Sequence, residues 1–216
     1  MKYKAIIFDL DGTLLDTLED IADSMNSVLK HLGFPKHNLN AYKYFVGEGL
    51  ERLVRRVLPE DKLEESLVAQ CIGRMRDEYR KRWADKTHPY PEVPELLDAL
   101  SIRGVKLAIL SNKPDDFTKV IVAKFLPHWK FVAILGANDA MPKKPDPTTA
   151  LTIAETLNIP PHECLFLGDS NIDMETAQAA GMYPVGALWG FRTAEELTES
   201  GAKSLVEKPT ELLKLL

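Results

Sequence analysis

The chain has 216 residues, 45% of them hydrophobic and 27% charged, the make-up of a folded globular protein and not of a fibrous or disordered one. A net charge of −5 argues against a dedicated nucleic-acid binder, which presents a basic face. It leaves room for a small anionic ligand held by a local cluster of metal, lysine and backbone N–H groups. Cys71 and Cys164 lie too far apart for a disulfide framework or a metal motif and are expected as buried thiols. No apolar run approaches the ~20 residues of a membrane span. Residues 1–4 lead into a short strand and lack the long apolar region of a leader. The expectation is a cytoplasmic protein, monomer or homodimer, with neither nucleic acid nor membrane as partner.

Residues 5–8, Ala-Ile-Ile-Phe, form a continuous apolar run, as in a strand buried on both faces. It stops at Asp9, and Gly12 marks a turn. From Thr17 to Leu32 the period changes: Ile21, Met25, Leu29 and Leu32 fall at helical spacing. Thr17 with Asp20 resembles a capping box, and Gly33 follows the helix end. Residues 33–86 read as helical throughout. They hold a loop at 33–35, a helix after Gly47-Glu48-Gly49, a break at Pro59 and a long helix over 61–84. Leu63, Leu67, Cys71, Met75 and Tyr79 lie four apart on that helix, and Arg74, Arg80, Lys81 and Arg82 make a solvated face.

Beyond Thr87 the texture alternates. Helices are predicted over 92–103, 114–126, 147–158 and 172–180, and strands over 105–110, 131–135, 164–167 and 183–187, with two short elements closing the chain. Such alternation predicts a doubly wound parallel α/β sheet with right-handed crossovers. Residues 1–15 and 87–216 are then one α/β core, and 16–86 are a helical insertion with hinges near 15–17 and 84–91.

Polar residues collect where strands end. The first strand ends in Asp9-Leu10-Asp11-Gly12-Thr13, the second in Ser111-Asn112-Lys113 and the fourth in Gly168-Asp169-Ser170, with Asp173 one turn on. Open parallel sheets bind ligands at these ends. Clustered carboxylates repel one another unless a cation intervenes, and oxygen ligands without His or Cys suit Mg²⁺. In that setting Asp9 is a candidate nucleophile and Asp11 a candidate acid/base. Ser111 and Asn112 offer neutral hydrogen bonds, and Lys144 offers charge for a phosphoryl group. Each motif alone has a plainer reading: Asp-x-Asp-Gly as a turn, Ser111 as a helix cap, Asp173 as a charge favouring a helix N-terminus.

In this order the residues resemble the haloacid-dehalogenase superfamily. Asp9-Leu10-Asp11-Gly12-Thr13-Leu14-Leu15-Asp16-Thr17 is similar to its first motif, Ser111-Asn112-Lys113 to its second, Lys144-Pro145-Asp146-Pro147 to its third and Gly168-Asp169-Ser170-Asn171-Ile172-Asp173 to its fourth. The resemblance implies a Rossmann-like core with a small helical cap over residues 16–86. It implies Asp9 as nucleophile and metal ligand, Asp11 as acid/base with its carbonyl on Mg²⁺, and Asp169 as metal ligand. It also implies Ser111, Asn112 and Lys144 around the phosphoryl group, with Thr13 and Ser170 in support and Asp173 supporting the metal site or Lys144. Phe45-Val46-Gly47-Glu48-Gly49-Leu50 and the stretch 186–192 look like phosphoglycolate phosphatases, which makes Gly47, Glu48 and Gly49 candidate specificity residues. The expected activity is Mg²⁺-dependent hydrolysis of a small phosphorylated metabolite through an aspartyl-phosphate. The competing readings are a phosphosugar mutase, a pyrophosphatase or nucleotidase, and a non-enzymatic phospho-accepting module. Asp11 and the long insertion oppose the last of these.

Overall fold

A computed structural model describes residues 2–216. In chain order the elements are β1 (Ala5–Phe8), β2 (Leu15–Asp16), α1 (Leu18–His31), α2 (Leu39–Phe45), α3 (Leu50–Val57), α4 (Glu65–Arg82) and β3 (His88–Pro89). There follow α5 (Val93–Ile102), β4 (Lys106–Pro114), α6 (Asp115–Phe125), β5 (Phe131–Ala137), α7 (Thr148–Leu157) and β6 (Cys164–Gly168). The last are α8 (Asn171–Ala179), β7 (Tyr183–Ala187), α9 (Ala194–Glu199) and β8 (Ser204–Val206).

Six strands form a parallel sheet in the order β5-β4-β1-β6-β7-β8. β1 is central because all four of its residues are apolar and have a layer to pack into on either side. Side chains alternate across a strand. Ile6 and Phe8 enter the core beneath α5 and the insertion, while Ala5 and Ile7 enter the core beneath α7. The sheet is thus covered on both faces, as parallel sheets require.

The insertion leaves and re-enters the core through a small antiparallel ribbon, with Leu15 opposite Pro89 and Asp16 opposite His88. Its helices depart from the sequence expectation in three places. The predicted capping box at α1 does not form: Thr17 Oγ1 donates to Asp11, and Asp20 accepts from the backbone N–H groups of Lys86 and Thr87. Both side chains are recruited to tie the ends of the insertion together, which a local pattern cannot register. α2 is an additional short helix, capped by Asn38, whose side chain accepts from Ala41 N at 2.9 Å. The predicted long helix begins at Glu65 instead of 61, after a 3₁₀ turn at Glu60–Lys62. Leu63 is therefore exposed, and Val68, Cys71, Met75 and Tyr79 form the buried stripe. On the outer face Arg80 pairs with Asp77, and Lys81 and Arg82 pair with Glu78. Cys71 and Cys164 are buried free thiols.

Candidate active site

Because β1 lies between β4 and β6, the three polar strand ends converge. Phe8 is in register with Ile109 on one side and Leu167 on the other. Asp9, Ser111 and Asp169 therefore follow at adjacent positions of one crevice. All three are nearly sealed from solvent, as are Lys144 and Asp173.

Asp9 has one carboxylate oxygen, Oδ1, held by Leu10 N at 2.7 Å and by Lys144 Nζ at 2.9 Å. Lys144 also bonds Asp173 Oδ1 at 2.6 Å. The other oxygen of Asp173 accepts from Ser170 N and Oγ, at 3.1 and 2.6 Å, which starts α8. Asp173 thus both opens a helix and anchors the lysine. Asp169 accepts from Thr13 Oγ1 at 3.0 Å and from Phe191 N at 2.8 Å. Gly12 makes this approach feasible. Its φ is +87°, and a Cβ there would lie 2.4 Å from Asp169 Oδ2, so no other residue fits the turn.

Carboxylate oxygens of Asp9, Asp169 and Asp173 lie within 4.8 Å of one another, with one ammonium among them. Burial first, and then the charge of Asp173, raise Asp9 to about 7 despite Lys144. Burial, with Asp9 and Asp173 nearby, holds Asp169 well above the usual carboxylate range. The Lys144 ammonium is opposed by burial, but Asp173 and Asp9 outweigh it and favour the charged form. This excess of buried negative charge is what a hard dication would relieve, and the all-oxygen donor set fits one such as Mg²⁺.

Asp11 stands apart from this group. Its carboxylate accepts from Thr17 Oγ1 at 2.7 Å and from Lys113 Nζ at 2.9 and 3.1 Å. Asn112 is also placed differently from the sequence expectation. Its side-chain amide accepts from Lys144 N at 2.9 Å and donates to Lys144 O and Gly47 O, each at 3.0 Å. The side chain is spent on holding the Lys144 loop and the insertion, with no free group for a phosphoryl oxygen. The Lys144–Pro145 bond in that loop is cis.

A cleft of about 620 Å³, its mouth included, opens over Asp9, Asp11 and Ser111 and is roofed by the insertion. Gly47 and Gly49 line it. Glu48 does not, because it turns away to pair with Arg56. Two residues at the cleft that the sequence reading passed over are Lys113, from the end of β4, and Tyr79, from α4. The signal for Lys113 was present, as the third polar residue at a strand end. Nothing local marked Tyr79, whose spacing says only that it is buried.

Comparison with known proteins agrees with this geometry. Residues 6–187 match the family described as Haloacid dehalogenase-like hydrolase. The chain is 34% identical over 213 residues to a phosphoglycolate phosphatase of Aquifex aeolicus, covering 99% of this chain and 96% of that protein. It is also 34% identical to a phosphoglycolate phosphatase of Nitrosospira multiformis, over 99% of this chain and 95% of that one. A crystal structure of a candidate phosphoglycolate phosphatase from Lactobacillus delbrueckii subsp. bulgaricus superposes with a TM-score of 0.93 at 30% identity, over 100% of this chain and 98% of that one.

Proposed function

The chain belongs to the haloacid dehalogenase-like hydrolases and is a phosphoric monoester hydrolase, and we propose that it cleaves its substrate through a phosphoryl group carried on Asp9. The observation that supports this reading most is the setting of Asp9. It is a buried carboxylate at the central strand end, tied by one oxygen to Lys144 and open to the cleft.

In the proposed reaction an oxygen of Asp9 attacks phosphorus as the ester P–O bond breaks. Asp11, which lines the same cleft, gives a proton to the departing oxygen. Asp11 then takes a proton from water, whose oxygen attacks phosphorus and breaks the Asp9–O–P bond. Orthophosphate leaves and Asp9 is restored. Lys144 carries positive charge toward the transferring group, and Ser111 lies in the same crevice to donate a hydrogen bond. Asp9 and Asp169 would hold a divalent cation, with Asp173 and Thr13 orienting its neighbours and the Asp11 carbonyl as a further donor. Such an ion, Mg²⁺ by the chemistry of these ligands, supplies charge for the phosphoryl oxygens when bound. Residues 16–86 act as a cap that excludes bulk water and meets the leaving group, and 1–15 with 87–216 form the catalytic core.

Phosphoglycolate heads the substrate candidates because similar proteins are named for it. The test is phosphate release with Mg²⁺, with and without chelator, across 2-phosphoglycolate, sugar phosphates, nucleotides and pyrophosphate. Chelator-sensitive release of orthophosphate is expected. Conversion of a sugar phosphate to its isomer without release would favour a mutase and overturn the hydrolytic step.

A further inference from the structure

The wall that the insertion gives to the cleft is hydrocarbon apart from two groups. Val46, Leu50, Leu53 and Met75 are apolar, and the exceptions are Arg76 and Tyr79. Arg76 already has a partner. Its guanidinium pairs with Asp116 at the start of α6 and lies over the Phe117 ring, 5.3 Å from the centroid.

Tyr79 has none. The residue is 4% exposed, and its buried phenol oxygen makes no hydrogen bond of good geometry among the described residues; the Lys113 ammonium is its polar neighbour and can only donate to it, so the phenol's own proton has no acceptor. Buried hydroxyls are nearly always paired, and one left bare costs about 1–3 kcal/mol. The ring is nevertheless held firmly. It meets Phe117 edge-on with centroids 5.0 Å apart, and Lys113 Nζ lies over it at 4.7 Å from the centroid. Lys113 is the ammonium that grips Asp11. One charged group therefore separates Tyr79 from the residue placed against the ester oxygen. Burial, offset in part by Lys113, raises the phenol to about 12, so at neutral pH it is a hydrogen-bond donor.

Resting on the phosphatase reading above, we infer that Tyr79 is the residue through which the insertion reads the substrate, its phenol donating to an acceptor oxygen on the leaving group. The acceptor belongs near the ester carbon, because Tyr79 and Asp11 flank the same Lys113 ammonium. The substrate class is short phosphomonoesters with a carboxylate or carbonyl at that point. A leaving group without one leaves the phenol bare inside the closed cleft, the situation in which a polar site rejects an analogue most strongly.

The test compares kcat/KM for 2-phosphoglycolate and ethyl phosphate, equal in carbon count but with and without the acceptor. p-Nitrophenyl phosphate serves as a general phosphomonoester, and each is assayed with the wild-type chain and with Tyr79→Phe. The wild type prefers phosphoglycolate. The variant loses roughly tenfold or more on it and stays within about twofold on ethyl phosphate. Its melting temperature is unchanged or higher, because the change deletes an orphaned hydroxyl and keeps the ring. A parallel loss on both substrates, or a lower melting temperature, would mean that the phenol has a structural partner and would overturn the inference. So would a wild type that hydrolyses p-nitrophenyl phosphate but treats phosphoglycolate no better than ethyl phosphate. A wild type that releases phosphate from none of the three with Mg²⁺ present would overturn the phosphatase reading itself.

Discussion

Asp11 and Lys113 lie at 11% and 4% side-chain exposure with 2.9 Å between charged atoms, and neither charge is tolerable there alone. Burial opposes the Lys113 ammonium, but Asp11 outweighs it and favours the charged form. Removing one partner of such a pair leaves an uncompensated buried charge, at a cost of about 3–5 kcal/mol. Lys113→Met is therefore expected to lose about 3 kcal/mol in urea denaturation and to lower kcat, since Asp11 loses the ammonium that orients it. An unaltered urea midpoint with a wild-type kcat would show that Asp11 does not depend on this lysine. The pairing also marks what residue types can reveal. Asp9, Ser111 and Asp169 were legible as a group because they are polar residues following apolar runs, and strand register brings them together; Lys144, in the loop between β5 and α7, stood out only as a charged residue in the connection before the next strand. The resemblance offered Lys144 as one of two partners for Asp173, and the structure shows that pair; the Asp11–Lys113 pair was not legible, because strand spacing sets it. The same holds for Asn112 and Glu48, whose partners are a neighbouring loop and Arg56.

Among the elements, the start of α3 is a point where the backbone of the insertion passes close to the core. Gly49 precedes it with φ +89°, and a Cβ there would lie 3.2 Å from the main-chain oxygen of Asn112. Gly49→Ala combines a left-handed strain of about 1–2 kcal/mol with a wedge between insertion and core. The expected result is a stability loss of that size and a raised KM with kcat less affected, read from steady-state kinetics beside a melt. A KM equal to wild type would mean that the roof of the cleft tolerates displacement. Element types were well read from periodicity in the α/β portion, where each strand is an apolar run and each helix has a stripe. The insertion was read less well. α2 spans only seven residues, too few for a repeating stripe. At α1 the residues that spell a capping box serve tertiary contacts instead, Thr17 toward Asp11 and Asp20 toward the chain that returns at Lys86 and Thr87.

The molecule as a whole places a net negative cluster at the centre of its sheet, and this has a pH signature. A free aspartate titrates at about 3.9, whereas burial and the neighbouring Asp173 charge push Asp9 in the folded chain up to about 7. Between those values the metal-free folded chain keeps a proton that the unfolded chain has released, so its stability falls as pH rises through the window. A divalent cation takes the place of that proton. The rise in melting temperature at one fixed Mg²⁺ concentration is therefore expected to be larger at pH 8 than at pH 5, and to vanish in Asp169→Asn. An equal rise at both pH values would mean that the cation binds elsewhere. The parallel sheet was legible from the alternation of strands and helices, and its strand order was not, since sequence order does not say on which side of β1 each later strand is laid. The most direct test of Asp9 as the group that carries phosphate is mass analysis of the full chain, acid-quenched during turnover of its fastest substrate with Mg²⁺. A transient phosphoryl adduct is expected on the peptide containing Asp9, converted to homoserine at that position by borohydride and absent in Asp9→Asn. Rapid phosphate release with no adduct at any time, or an Asp9→Asn variant that turns over normally, would contradict that role.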